Sequence, residues 1–157
     1  MAKVAVGKKV PAFKAAATGS GSGSIASKDL LGAPYVLYFY PKDDTPGCTM
    51  EGHQFRDRYH AFKRHKVRIL GVSRDTVASH EKFKAKHGLP FDLLSDPDEA
   101  LCQQFDVMKL KNMYGKKVRG IERSTFLVDA EGVLRNEWRK VKVDGHADAV
   151  LAAAESL

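Results

Sequence analysis

Six consecutive apolar or aromatic residues, Tyr35-Val36-Leu37-Tyr38-Phe39-Tyr40, run directly into Pro41. Side chains alternate between the two faces of a strand, so a run with no polar member needs cover on both sides and belongs inside a sheet. Pro41 cannot donate to a ladder and ends it. Val67 to Val72 (VRILGV) reads as a second buried strand, and Thr125 to Val128 with Val133 to Trp138 reads as a hairpin across Asp129-Ala130-Glu131-Gly132. Between them, Gly52, Phe55, Tyr59 and Phe62 recur at steps of three and four, one stripe of a single helix. Thr76 to His87 and His146 to Leu157 read as further helices, and Asp98 to Phe105 as a short one. Strand–helix–strand order closed by a hairpin and a last helix predicts an α/β sheet with helices on its faces. Several small α/β folds fit this order, a thioredoxin-like layout among them, and the pattern alone does not select one.

The remaining composition narrows the class. A chain of 157 residues with 43% hydrophobic content suits one compact domain, residues 1–157, with a real core. No apolar run approaches the roughly 20 residues of a membrane span. Met1 to Val10 is basic but leads into no apolar core of a signal peptide, so the expected location is the cytoplasm. The net charge of +7 comes from scattered Lys and Arg, which reads as a solvated basic surface and not as a nucleic-acid site. Thr18 to Ser24 (TGSGSGS) reads as a flexible loop or hairpin tip. Two cysteines in such a chain are not a disulfide framework; each is inert packing, a metal ligand or a reactive thiol.

The chemistry concentrates in Pro41-Lys42-Asp43-Asp44-Thr45-Pro46-Gly47-Cys48. Thr45 is a suitable N-cap and Pro46 a suitable first helical residue, which places Cys48 in the first turn of the helix bearing Phe55. Backbone N–H groups there have no intrahelical partner and the helix dipole is positive, so both favour a thiolate. Counting back by three and four, Cys48 joins the inward stripe and faces a pocket with little solvent access. Ionisation alone is not enough. An ordinary thiol of pKa ~8.5 is about 3% ionised at pH 7, so full ionisation yields at most roughly 30-fold, near 2 kcal/mol. A catalytic thiolate also needs donors for the charge that develops on the group it displaces, each supplying about 10²–10³ in rate.

The residues carrying this site resemble a known family. Pro41, Thr45 and Cys48 stand in the P-x-x-x-T-x-x-C spacing of the peroxiredoxins, and FYPKDDTPGCTMEG is similar to the Q-type branch, the bacterioferritin comigratory proteins. The resemblance continues through DPDEALCQQFDV (Asp96 to Val107), Gly120-Ile121-Glu122-Arg123-Ser124-Thr125-Phe126 and the final helix. It implies a thioredoxin-like fold with an N-terminal addition, in three α/β/α layers. Cys48 would be oxidised by the peroxide to a sulfenic acid. Thr45 would bond the substrate oxygen, Arg123, delivered from a neighbouring strand, would stabilise the thiolate and developing oxyanion, and Pro41 would wall the pocket. The implied partners are hydrogen peroxide or an organic hydroperoxide, and thioredoxin, glutaredoxin or another thiol reductant; neither nucleic acid nor membrane is implied, and a monomer is. No cofactor or metal is called for.

Simpler roles stand beside these. Cys102 reads as a small buried hydrophobe, Trp138 as packing against the sheet, and Glu51 either as an answer to the helix dipole alone or as a residue that also orders the active-site loop. His53 and His60 do not share a helix face with Cys48, and a thiolate beside an arginine suits no cation, so a metal centre is not expected. The family's usual resolving cysteine, five residues after the first or on the following helix, is absent: position 53 is His, and 80–85 reads HEKFKA. A one-cysteine mechanism is therefore expected. A thiol–disulfide oxidoreductase would need C-x-x-C, whereas Cys48 is followed by Thr49-Met50-Glu51. The rival from another class is a peroxide sensor or holdase that does not turn over.

Overall fold

The computed structural model describes residues 3–19 and 23–157. In chain order the strands and helices are β1 (Lys14–Ala17), β2 (Ser24–Ala26), β3 (Tyr35–Phe39), α1 (Pro46–Asp57), α2 (Tyr59–Arg64), β4 (Arg68–Ser73), α3 (Val77–His87), β5 (Asp92–Ser95), α4 (Ala100–Gln104), β6 (Met108–Met113), β7 (Lys116–Ile121), β8 (Ser124–Val128), β9 (Leu134–Trp138) and α5 (His146–Glu155). A 3-10 turn over Ser27–Leu30 follows β2.

Among the described residues, the main sheet has seven strands in the order β2-β1-β5-β4-β3-β8-β9. β3 sits between β4, parallel to it, and β8, antiparallel. That is where an all-apolar strand has to go, and every residue of β3 is buried. Alternate β3 residues feed two cores. Tyr35, Leu37 and Phe39 join Leu101, Cys102 and Phe105 with the N-terminal Phe13 and Leu30 on one face. Val36, Tyr38 and Tyr40 join Cys48, Phe55, Phe62, Phe83 and Val150 on the other. Helices α1, α2, α3 and α5 therefore cover one face and α4 with the N-terminal segment covers the other, giving three layers. Burial of each large side chain contributes about 1.5–3 kcal/mol.

Several local expectations are adjusted. The stripe through Gly52, Phe55, Tyr59 and Phe62 is carried by two helices, because the chain leaves helical geometry at Arg58 (φ −106°, ψ 8°). Gly52, Phe55 and Phe62 are still buried and Tyr59 half-buried, since the break falls outside the contact stripe. The helix expected over 98–105 is shorter, Ala100–Gln104. The β8–β9 hairpin forms as expected, with a bulge at Leu127/Val128. The β1–β2 hairpin flanks the TGSGSGS stretch; Ser20 to Ser22 lie outside the described residues. A separate β6–β7 ribbon, not anticipated from the sequence, precedes β8. No helix among the described residues is long and apolar enough to cross a membrane.

Candidate active site

The site lies at the C-terminal end of β3, where Pro41 halts the strand and the chain turns into α1. Thr45 stands at the N-cap position with extended dihedrals, and Pro46 opens the helix. Asp44, just before the N-cap, takes the left-handed conformation (φ +58°), which an Asp tolerates better than most residues. The side-chain capping bond expected of Thr45 is not made. Its hydroxyl instead donates back to the Lys42 carbonyl at 2.9 Å. Cys48, three residues on, is 2% exposed and packed among Tyr38, Tyr40 and Phe55, as its place on the inward stripe requires. Pro41 and Thr45 are half-buried beside this helix start.

Arg123 arrives from the far side. The expectation that it comes from a strand is corrected: with Glu122 it forms the short link between β7 and β8. Serine at 124 begins the strand that pairs with Phe39, the last residue of β3, so the link falls directly across from the start of the active-site loop. The Arg123 guanidinium donates from Nη2 to Cys48 Sγ at 3.4 Å and from Nη1 to Glu51 Oε1 at 2.6 Å. Gly47 leaves room for this approach: a Cβ there would lie 3.1 Å from Arg123 Nη2, a tight contact that would shift the guanidinium by a few tenths of an ångström.

A thiol at a helix start, a guanidinium on its sulfur and a hydroxyl one turn away can activate a nucleophile and accept a departing anion. Residues 6–137 match the model of the AhpC/TSA family. Peroxiredoxin Bcp of Xanthomonas campestris is 62% identical over 121 residues, 77% of this chain and 76% of that protein. Peroxiredoxin Bcp of Bacillus subtilis is 46% identical over 98% of this chain and 97% of its own. The chain is a peroxiredoxin of the AhpC/TSA family.

Solved structures place it further. The bacterioferritin comigratory protein of Xanthomonas campestris, studied for its alkyl peroxide reduction activity, superposes with a TM-score of 0.86 at 53% identity, covering 92% of this chain and 90% of that one. PrxQ of Xylella fastidiosa gives 0.90 at 41% identity over 99% and 98%. This peroxiredoxin therefore has the thioredoxin-like fold of the Q-type branch, with the β1–β2 hairpin added antiparallel at the β5 edge.

Glu51 does more in this peroxiredoxin than answer a dipole. It is 1% exposed, and its Oε2 finds no partner among the described residues. Burial pushes its pKa up to about 7 against the opposing pull of Arg123. Burial of the carboxylate thus outweighs its ion pair, as often happens when two charges leave water together.

Cys102 is fully buried on the opposite face of the sheet, and burial with the neighbouring Asp96 drives its thiol well above the ordinary range. It is packing. His53 does not turn toward Cys48; its Nε2 meets His87 Nδ1 at 2.9 Å, and His60 is exposed. Trp138 is half-buried on β9 and meets the His146 ring edge-on at 5.8 Å.

Sequence reasoning missed the polar frame of the active-site loop. The buried Asp43 carboxylate accepts from Tyr40 Oη at 2.6 Å and Ser79 Oγ at 2.8 Å, and the His80 ring bridges it to the sheet, Nδ1 lying 2.7 Å from Asp43 Oδ2 and Nε2 2.9 Å from the Leu94 carbonyl. Burial disfavours this carboxylate, yet the bonds from His80, Tyr40 and Ser79 hold its pKa below the usual value. The available signal was His80 at a core position of α3, three residues before the buried Phe83. Asp43, Asp75 and His80 bring three potential metal-ligand atoms within 4.8 Å of one another. Those atoms are already committed to hydrogen bonds, so the cluster is a closed network rather than a donor set.

Proposed function

We propose that Cys48 is the peroxidatic residue of this thiol peroxidase, reducing hydrogen peroxide and small organic hydroperoxides. The observation that carries the assignment is Arg123 Nη2 on Cys48 Sγ at 3.4 Å in a pocket where the sulfur is 2% exposed. The thiolate attacks the terminal oxygen of R–O–OH and the O–O bond breaks. The sulfur keeps OH as a sulfenic acid, and the alkoxide leaves with the electron pair and takes a proton from water as ROH. Arg123 holds the thiolate and accepts the charge that develops on the departing oxygen. Thr45 accepts a hydrogen bond from the peroxide hydroxyl, its own proton being spent on Lys42. Pro41 walls the approach.

Regeneration is by an external thiol in a one-cysteine cycle. A first thiol displaces water from the sulfenic acid to form a mixed disulfide, and a second releases Cys48 as thiol with the donor as disulfide. Thioredoxin, glutaredoxin or a small thiol fits this role. The chain works as one domain over residues 1–157, as a cytoplasmic monomer acting on peroxides and not on nucleic acid.

The test is multiple-turnover peroxide consumption with a thiol donor, in wild type and Cys48→Ser. Sustained wild-type turnover with none in the variant supports the assignment. Turnover by the variant near the wild-type rate overturns it, and a single oxidation of wild type without turnover points to the sensor instead.

A further inference from the structure

As acceptor for the peroxide hydroxyl, Thr45 must have its own proton placed elsewhere. A threonine hydroxyl has one proton and two lone pairs, so it presents as an acceptor only when something else takes its proton. Here that group is the Lys42 carbonyl, at 2.9 Å. The carbonyl belongs to the peptide unit whose other end is the Asp43 N–H, and the unit is trans. In a planar trans peptide the C=O and N–H point in opposite directions and turn together. Whatever fixes the Asp43 N–H therefore also aims the Lys42 oxygen.

That group is Asp75. Its Oδ2 accepts the Asp43 N–H at 2.9 Å. Asp75 follows the end of β4 closely and is itself held in place: Ser73 Oγ donates to the same Oδ2 at 2.6 Å, the Asp75 N–H donates to Ser73 Oγ at 3.1 Å, and Ser95 Oγ donates to the Asp75 carbonyl at 2.5 Å. Ser73 and Ser95 are paired residues of β4 and β5. The C-terminal ends of two paired inner strands thus set one carboxylate oxygen, which sets one peptide plane, which sets one hydroxyl. The three side-chain bonds to the Asp43 carboxylate anchor that residue's side chain, whereas the bond to Asp75 is made by the peptide N–H itself.

We infer that Asp75 is a positioning residue for peroxide reduction: it fixes the Lys42–Asp43 peptide so that the Lys42 carbonyl takes the Thr45 proton and the Thr45 oxygen is left to accept from the peroxide. Asp75 touches neither substrate nor Cys48. Without it the peptide turns, the Thr45 hydroxyl loses its fixed acceptor, and it presents its proton to the substrate as readily as its lone pair.

The inference rests on the proposed role of Thr45, so the experiment separates the two. Single-turnover oxidation of reduced Cys48 by hydrogen peroxide is compared in wild type, Asp75→Ala, Asp75→Asn, Thr45→Val and the Asp75→Ala/Thr45→Val double variant. Alkylation of Cys48 by iodoacetamide, which needs the thiolate but no acceptor for a peroxide proton, is followed alongside. Asp75→Ala is expected to slow oxidation by roughly 10–10²-fold, the cost of misplacing a group in the reacting geometry, while alkylation keeps its wild-type rate. The double variant is expected to be no slower than Thr45→Val alone, because two residues acting through one contact are not additive. Asp75→Asn is expected to recover most of the rate, since an amide oxygen can accept both bonds that Oδ2 now takes. Asp75→Glu keeps the charge but displaces the oxygen by a methylene, and carries the same test if Asp75→Ala does not fold.

Equal slowing of alkylation and oxidation in Asp75→Ala, or full additivity with Thr45→Val, overturns the inference by making the role merely structural. Wild-type oxidation in Asp75→Ala with a slow Thr45→Val overturns it while sparing Thr45. Wild-type oxidation in Thr45→Val overturns the role of Thr45 itself.

Discussion

Cys48 and Cys102 sit on opposite faces of one sheet. Cys48 packs with Tyr38 and Tyr40, whose side chains leave β3 on one side; Cys102 packs with Leu37 and Phe39, which leave it on the other. A disulfide needs Cα atoms within roughly 7 Å, and here a layer of hydrogen-bonded strands intervenes. Bridging them would require one face of the core to come apart, not just the fraying of a helix end. The separation bears directly on how the oxidised enzyme is recycled.

Cys102→Ser is therefore expected to retain full turnover with a suitable thiol donor. Peptide mapping of wild type after one equivalent of peroxide should show a sulfenic acid, or a mixed disulfide when the donor is present. A Cys48–Cys102 bridge in that map, with loss of thioredoxin-dependent turnover in Cys102→Ser, would contradict the one-cysteine cycle.

Arg123→Ala is expected to slow Cys48 oxidation by peroxide about 10²-fold or more, the usual cost of losing a donor aimed at developing charge. Arg123→Lys should recover only part of this. One ammonium cannot reproduce the planar fork that reaches Glu51 Oε1 at 2.6 Å and Cys48 Sγ at 3.4 Å together. The second-order rate constant from competition with a reference peroxidase gives the answer, and a value near wild type for Arg123→Ala would remove Arg123 from the mechanism.

Two buried groups are expected to tilt stability with pH in opposite directions. Burial raises Glu51 from 4.5 to about 7. Between those values the unfolded chain has lost a proton that the folded one keeps, so Glu51 withdraws stability as pH rises through this window. Burial, with Arg123 nearby, lowers His146 from 6.5 to about 4. There the unfolded chain holds the extra proton, so His146 withdraws stability as pH falls through that window. Urea unfolding from pH 4 to 7.5 should show these slopes partly cancelling in wild type. Glu51→Gln should expose the acid sensitivity of His146. His146→Gln, which can keep a bond to the Thr125 hydroxyl now 2.7 Å from Nε2, should expose the opposite slope of Glu51. Parallel pH profiles for all three proteins would show that neither carboxyl nor imidazole is perturbed as described.

The sequence by itself determined what local rules decide. An unbroken apolar run ended by proline had to be a doubly covered strand, and Thr45-Pro46 had to open a helix with Cys48 in its first turn. The 3–4 spacing had to turn Cys48 inward with Gly52 and Phe55. Each follows from strand alternation, helix periodicity or proline's fixed geometry, which act within a few residues. The motif that resembles the peroxiredoxins lies in the same short stretch. Arg123 was legible only through that resemblance, because nothing local distinguishes it from a surface arginine. It reaches the sulfur because β8 pairs with β3 in a register that puts Ser124 opposite Phe39. The Asp43–His80 frame and the hold of Asp75 on the Lys42–Asp43 peptide were not legible. Their partners lie 37 and 32 residues apart and meet only because β3, β4 and β5 align their C-terminal ends. The separation of the two cysteines was decided in the same way: helix propensity placed each on a helix, and the side of the sheet each helix packs against is set by the connections between strands.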